Sequence, residues 1–238
     1  MLNHVKAEDV LFLDIETVPQ LPAFDQVSPE LQLLWEKKSA YFRQDDQTAA
    51  DVYGRAGIYA EFGKIVCISV GLITTTGGRR LFRVKSFAGD NETVLLSDFA
   101  DMLKKFARDV NKNICGHNAK EFDIPYIARR MLINGLKLPP ILDVAGKKPW
   151  EVKFIDTLEL WKFGDYKHYT SLNLLTTIFN IPSPKDDIDG SQVAAVYYEE
   201  HDVERIARYC EKDVLATAQL FLRFKGEDLI DEEAVEHA

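Results

Sequence analysis

Cysteine is scarce and scattered. Cys67, Cys115 and Cys210 are the only three in 238 residues, and none forms a CxxC pair. An odd, unclustered set argues against a disulfide framework and fits reduced thiols in a cytoplasmic setting. Each sits in apolar sequence, where packing is its plain role. Long hydrophobic runs are missing too: none approaches the ~20 residues of a membrane span. Met1 to Asp9 has no basic start followed by an apolar core, so no signal peptide is expected. Positive charge is in deficit, with 29 Lys and Arg against 38 Asp and Glu and a net charge of −9. That argues against broad nonspecific binding to duplex nucleic acid, which relies on positive surface. It leaves room for chemistry at a nucleic-acid end, where bound metals supply local positive charge. Repeats, low-complexity stretches and linkers are absent as well. With 46% hydrophobic and 28% charged residues, the composition is that of a soluble globular protein of one large domain or two small ones.

What is there centres on Leu11-Phe12-Leu13-Asp14-Ile15-Glu16-Thr17. This reads as a strand. Side chains alternate faces, so Leu11, Leu13 and Ile15 share one face and Asp14 and Glu16 the other. Two acids on one face of a central strand repel each other and are costly to bury unpaired. Either a divalent cation of oxygen preference, Mg²⁺ or Mn²⁺, joins them, or the strand end simply reaches solvent.

The rest of the chain supplies a frame. Ser28-Pro29-Glu30 is a helix start leading through Leu31, Leu34, Trp35 and Lys38. Residues 19–60 form a partly helical insertion. Lys64 to Ile73 and Arg80 to Phe87 are strands joined across Gly77-Gly78. Apolar residues at helical spacing predict a helix over Thr93–Val110. Asn113 to Asn118 is a strand entering a loop, and Pro125 and Gly135 bracket a helix. Lys153–Thr157 is a fifth strand. Ser171–Asn180 and Ser191–Glu200 are helices with a polar loop, 182–190, between them. Asp202 caps a last long helix to about Phe224, and an acidic tail, 226–238, frays. The order predicts one α/β domain over 1–225: a mixed five-stranded sheet, three strands antiparallel and two parallel, flanked by helices.

Two further acidic stations follow. In Asn118-x-x-x-Phe122-Asp123-Ile124-Pro125-Tyr126, Asp123 lies close to a helix start, where a capping role would suffice. In Tyr209-Cys210-Glu211-Lys212-Asp213, the tyrosine and the aspartate share a helix face at i and i+4. A polar rim on an amphipathic helix would place them equally well.

Taken together, Asp14-Ile15-Glu16, the Asn118–Tyr126 segment and Tyr209-x-x-x-Asp213-Val214 resemble the three motifs of DEDD-type 3′–5′ exonucleases, in the subclass with a tyrosine before the last aspartate. The second motif, with Arg129 or Arg130 shortly after, is most similar to the proofreading domain of family B DNA polymerases. The resemblance runs from residue 10 to about 222. It implies a ribonuclease H-like fold and a stand-alone exonuclease, since no room for a polymerase domain follows the third motif. It implies a pair of divalent ions held by Asp14, Glu16, Asp123 and Asp213, with Asp14 bridging both. Tyr209 would orient the attacking water. Thr17, Asn118 and Phe122 would meet the terminal nucleotide, although Asn118 serves equally to stabilise its loop and Phe122 to fill the core. Asp156, His117, His168, Lys167 and Lys185 are read as capping, structural or solvated residues. The expected substrate is the 3′ end of single-stranded DNA, with 3′–5′ exoribonuclease as the rival and a non-catalytic nucleic-acid-binding module as the rival of another class.

Overall fold

The computed structural model describes residues 1–165, 167, 169–182 and 188–238. His168 and Lys185, and most of the loop expected over 182–190, lie outside the described residues. The sheet is built around β1 (Val10–Pro19). It pairs antiparallel with β2 (Gly63–Thr76), which pairs antiparallel with β3 (Arg79–Ala88). On its other side β1 runs parallel to β4 (Asn113–Gly116), and β4 parallel to β5 (Phe154–Asp156). The β2–β3 turn is made by Gly77 and Gly78, with φ of 59° and 81°, the left-handed pair that a tight hairpin demands.

Alternation along β1 sorts its residues onto two layers. Leu11, Leu13 and Ile15 face α2 (Glu92–Phe106) and α3 (Asp123–Ile133), in a core with Leu96, Phe99 and Ile127. Val10 and Phe12 face α7 (Val203–Lys225), packing on Val214, Ala218 and Phe221. Asp202 starts α7 by accepting the Arg205 N–H, and Gly226, at φ 73°, ends it.

The insertion after β1 carries α1 (Pro29–Ser39), capped by Ser28. Its own small core is Trp35, fully buried, ringed by Phe42, Tyr53, Tyr59 and Phe62, with the indole N–H donating to the Ala49 carbonyl at 2.9 Å. A 3₁₀ turn, Tyr53–Ile58, lies against the end of β1. A Cβ on Gly57 would come within 3.1 Å of the Val18 carbonyl carbon, so a side chain there would press the turn off the strand by a few tenths of an ångström.

Several elements differ from the sequence reading. The sheet has six strands, in the order β5-β4-β1-β2-β3-β6, because the acidic tail adds β6 (Val235–His237) parallel to β3. The tail is amphipathic rather than merely acidic. Ile230 and Ala234 enter the core under α7, Gln219 exchanges two hydrogen bonds with the Ile230 backbone, and Arg80 and Arg83 pair with Glu227 and Glu236. Helix α2 stops at Phe106, and Val110 is 81% exposed beyond it. A short helix, α4 (Thr157–Lys162), follows β5 directly. The helix with a serine N-cap is α5 (Leu172–Ile178). The segment before α7 is a single turn, α6 (Val193–Ala195), widening into a π-helical turn over Val196–Glu200.

The docked tail sets a stability test. Ile230 is 5% exposed, and Ile230→Ala is expected to cost about 2–4 kcal/mol in urea unfolding, as for other buried isoleucines. A loss below about 0.5 kcal/mol, the scale of a surface change, would mean the tail is detached in solution.

Candidate active site

The acids of β1 point toward α7, on the face shared with Phe12. Past Phe12 the strand loses its parallel neighbour, because β4 pairs only as far as Phe12 with Cys115. The chain turns away at Gly116, where a Cβ would meet the Ala119 Cβ at 2.4 Å and the Leu13 carbonyl oxygen at 3.1 Å. One edge of β1 is thereby open beside Asp14. Asp123 closes it: its Oδ1 accepts the Ile15 N–H at 3.2 Å. Asp123 is the first residue of α3, and the position before it is Phe122, so the acid does not cap its own helix. It satisfies the backbone of the strand between the other two acids. On the opposite edge the β1–β2 register slips between Glu16 and Thr17, leaving Val66 without a partner on β1. Such a bulge re-aims side chains locally.

Helix α7 brings the third station across. Tyr209 lies one turn earlier on the same face, close enough for the Asp213 charge to bear on its hydroxyl. Cys210 lies beneath Asp14, its Sγ 3.4 Å from Oδ2 and 3.4 Å from the carbonyl oxygen of that residue. One donor atom each from Asp14, Glu16 and Cys210 lies within 4.8 Å of the others.

The electrostatics follow from this crowding. Burial pushes the Asp14 carboxyl well above the usual range, and Asp123, Glu16 and Asp213 push it further. Glu16 is raised by burial, then by Asp213, Cys67 and Asp123. Asp123 is raised to about 7 by burial, opposed by its own backbone N–H and that of Ile15. Tyr209 is raised by burial and by Asp213, Glu16 and Asp14, so it stays a neutral donor. Glu16 is only 8% exposed, and its carboxylate accepts no hydrogen bond among the described residues. A buried, unpartnered carboxylate among three others fits a site for divalent cations with oxygen preference.

The residues expected at the substrate separate. Thr17 is half-buried near the end of β1. Asn118 sits in the left-handed region at φ 63° on the turn out of β4, its N–H donated to Asp156. Phe122 packs on the main core, 5.5 Å from the Tyr126 ring. Asp156 caps α4 and also accepts the Asn118 and Lys120 N–H groups. His117 is tied to the Thr157 hydroxyl and the Thr170 carbonyl, both at 2.9 Å. Lys167 is exposed. Two neighbours of the acids escaped the sequence reading. Cys210, three residues before Asp213, was legible from helical spacing. Tyr169, 65% exposed beside His117, has its phenol raised by burial and then by Asp123, Asp14, Asp156 and Asp213, and only tertiary folding brings it there.

A family model described as "Predicted 3′-5′ exonuclease related to the exonuclease domain of PolB" matches residues 58–237. The match contains Asn118, Asp123, Tyr209 and Asp213 and begins beyond Asp14 and Glu16. A DNA polymerase of Pyrococcus glycovorans is 22% identical over 147 residues, 55% of this chain and 19% of that protein. The chain thus spans about a fifth of the length of this curated relative.

The raised carboxyls predict an inverted pH dependence of stability. A folded-state pKa above the unfolded one adds stability that is complete below the unfolded value, about 4 for aspartate. That stability is lost as pH rises through the folded value, about 7 for Asp123. The melting temperature in EDTA is therefore expected to fall from acid toward neutral pH, and Mn²⁺ to restore it most at the alkaline end. Asp123→Asn should flatten the EDTA profile. A profile that rises across this window would contradict the crowding of acids.

Proposed function

Since the chain belongs to the family of predicted 3′–5′ exonucleases related to the exonuclease domain of PolB, we propose that it removes nucleotides from the 3′ end of single-stranded DNA. The products are nucleoside 5′-monophosphates, and the working centre is Asp14, Glu16, Asp123 and Asp213 on a ribonuclease H-like sheet. The observation that carries this reading is the convergence of the acids from β1, α3 and α7, with Glu16 buried and unpartnered. A phosphodiester is itself an anion. Four carboxylates would repel it at close range unless cations stood between them.

Asp14, Glu16, Asp123 and Asp213 would hold two divalent ions, Mg²⁺ or Mn²⁺, which when bound would supply activation of water and neutralise charge at phosphorus and the leaving 3′ oxygen. The chain's own groups do the rest. The Tyr209 hydroxyl, kept protonated by its acidic neighbours, positions the attacking water. Glu16 accepts a hydrogen bond from that water. Thr17 and Asn118 border the terminal nucleotide, Thr17 from the end of β1 and Asn118 from the turn after β4. Phe122, packed on the core, supports the Asn118 turn from below rather than stacking on a base. The net charge of −9 limits grip on distant phosphates, which favours short contacts at one chain end over wrapping of a duplex.

The deciding experiment compares 3′- and 5′-labelled single-stranded DNA and RNA of one sequence, with Mg²⁺, Mn²⁺ or EDTA. Stepwise loss of mononucleotides from the 3′ end of DNA, stopped by EDTA and by a 3′ block, is expected. Faster loss from RNA would reassign the substrate, and cutting of a circular single strand would end the exonuclease reading. Asp14→Asn should abolish cleavage in either metal, read in the same assay.

Tyr209 and Asp213 should separate. Tyr209→Phe keeps the ring in its packing, so calorimetric Mn²⁺ affinity should hold while single-turnover cleavage falls roughly 10²–10³-fold, the usual cost of one preorganised hydrogen-bonding group. Asp213→Asn should lose metal affinity and cleavage together. Full activity in Tyr209→Phe would leave that tyrosine a packing residue.

A further inference from the structure

The floor of the acid pocket is a thiol. Cys210 is fully buried, and its Sγ donates to Asp14, 3.4 Å from Oδ2. Donor atoms of Cys210, Asp14 and Glu16 all lie within 4.8 Å of one another. Glu16, 8% exposed and accepting no hydrogen bond among the described residues, aims its carboxylate at the same space. Hard cations such as Mg²⁺ pass over a thiol, whereas borderline and soft ones select it. Zinc bonds of about 2.3 Å to sulfur and about 2.1 Å to oxygen, opened to a tetrahedral angle, set sulfur and oxygen roughly 3.5 Å apart. The separation of Cys210 Sγ and Asp14 Oδ2 matches this.

We propose that Cys210, Asp14 and Glu16 form a site for a thiophilic divalent cation, Zn²⁺ above all, whose ligand set differs from the all-oxygen set used by Mg²⁺ or Mn²⁺. Binding breaks the Cys210 S–H bond and forms a Zn–S bond. The proton leaves to solvent, and nothing is oxidised or reduced. Zinc seated there takes two carboxylates away from the catalytic ions and inhibits cleavage. That consequence rests on the nuclease reading, whereas the site does not.

The test uses metal-free full-length protein and Cd²⁺ as the probe, because Zn²⁺ is spectroscopically silent. Wild type is expected to develop the ultraviolet sulfur-to-cadmium charge-transfer band, Cys115→Ala to keep it and Cys210→Ser to lose it. Zn²⁺ competition should show the same order. Should Cys210→Ser fail to fold, Glu16→Gln decides: the thiol remains, and the band should return only at Cd²⁺ concentrations higher by about tenfold or more, as for loss of other groups supporting a metal. No band in wild type, a band persisting in Cys210→Ser, or unchanged Cd²⁺ affinity in Glu16→Gln would each overturn the site. A band in a protein that cleaves no DNA would leave the zinc site standing and remove the nuclease reading. Cleavage without a band would do the reverse.

Discussion

Repulsion among Asp14, Glu16, Asp123 and Asp213 is the constraint on which the rest of this structure depends. Asp14, Glu16 and Asp123 are each raised by burial and by neighbouring acids, Asp213 among them. Left alone, such a group would splay apart or draw in water. It holds because each acid is fixed by backbone that has other reasons to be where it is. Asp14 and Glu16 ride on the central strand, each paired across to β2, with Ser69 and Cys67. Asp123 is tied to that strand by the Ile15 N–H. Asp213 sits on the longest helix, whose other residues fill the core under Phe12. The energy that compresses the acids comes from apolar burial elsewhere, and a bound cation would return part of it.

The clamp on α3 shows how far that support extends. Arg130 donates to both carboxylate oxygens of Glu92 and to the Ala60 carbonyl, while Glu92 also accepts the Ile65 N–H of β2. The pair is buried, with side chains 6% and 9% exposed, and every contact is charge-assisted. Tyr126 reaches from the same helix to the Gly57 carbonyl at 2.7 Å. Helix α2, helix α3, the insertion and the start of β2 are thus locked together directly behind Asp123. Arg130, attached by resemblance to the second motif, does this framing work, whereas Arg129 faces solvent.

The insertion also has a place in this economy of support. It builds a satellite core on Trp35 and presses a 3₁₀ turn onto the end of β1. Tyr198, from the π-helical turn before α7, donates to the Pro19 carbonyl from the other side. The strand end carrying Thr17 is therefore held between two elements far apart in sequence. A terminal-nucleotide pocket needs that rigidity more than the acids do, because a ligand must find its walls already in place.

Much of this was legible in the residues. Period-two alternation put Asp14 and Glu16 on one face, and i,i+4 spacing put Tyr209 beside Asp213, because both follow from local geometry that tertiary contacts seldom overturn. Gly77-Gly78, Ser28, Ser171 and Asp202 announced their turn and caps by backbone chemistry alone. The sixth strand was not legible: its three residues lie in an acidic tail whose strand character exists only against β3. Nor was the job of Asp123, which looked like a helix cap until the early end of β4 exposed the Ile15 N–H. The rim tyrosine at 169 belongs to the same kind. Sequence by itself determined which side chains share a face within one element. Which faces meet was decided by packing between elements, since distances across a core depend on every residue that fills it.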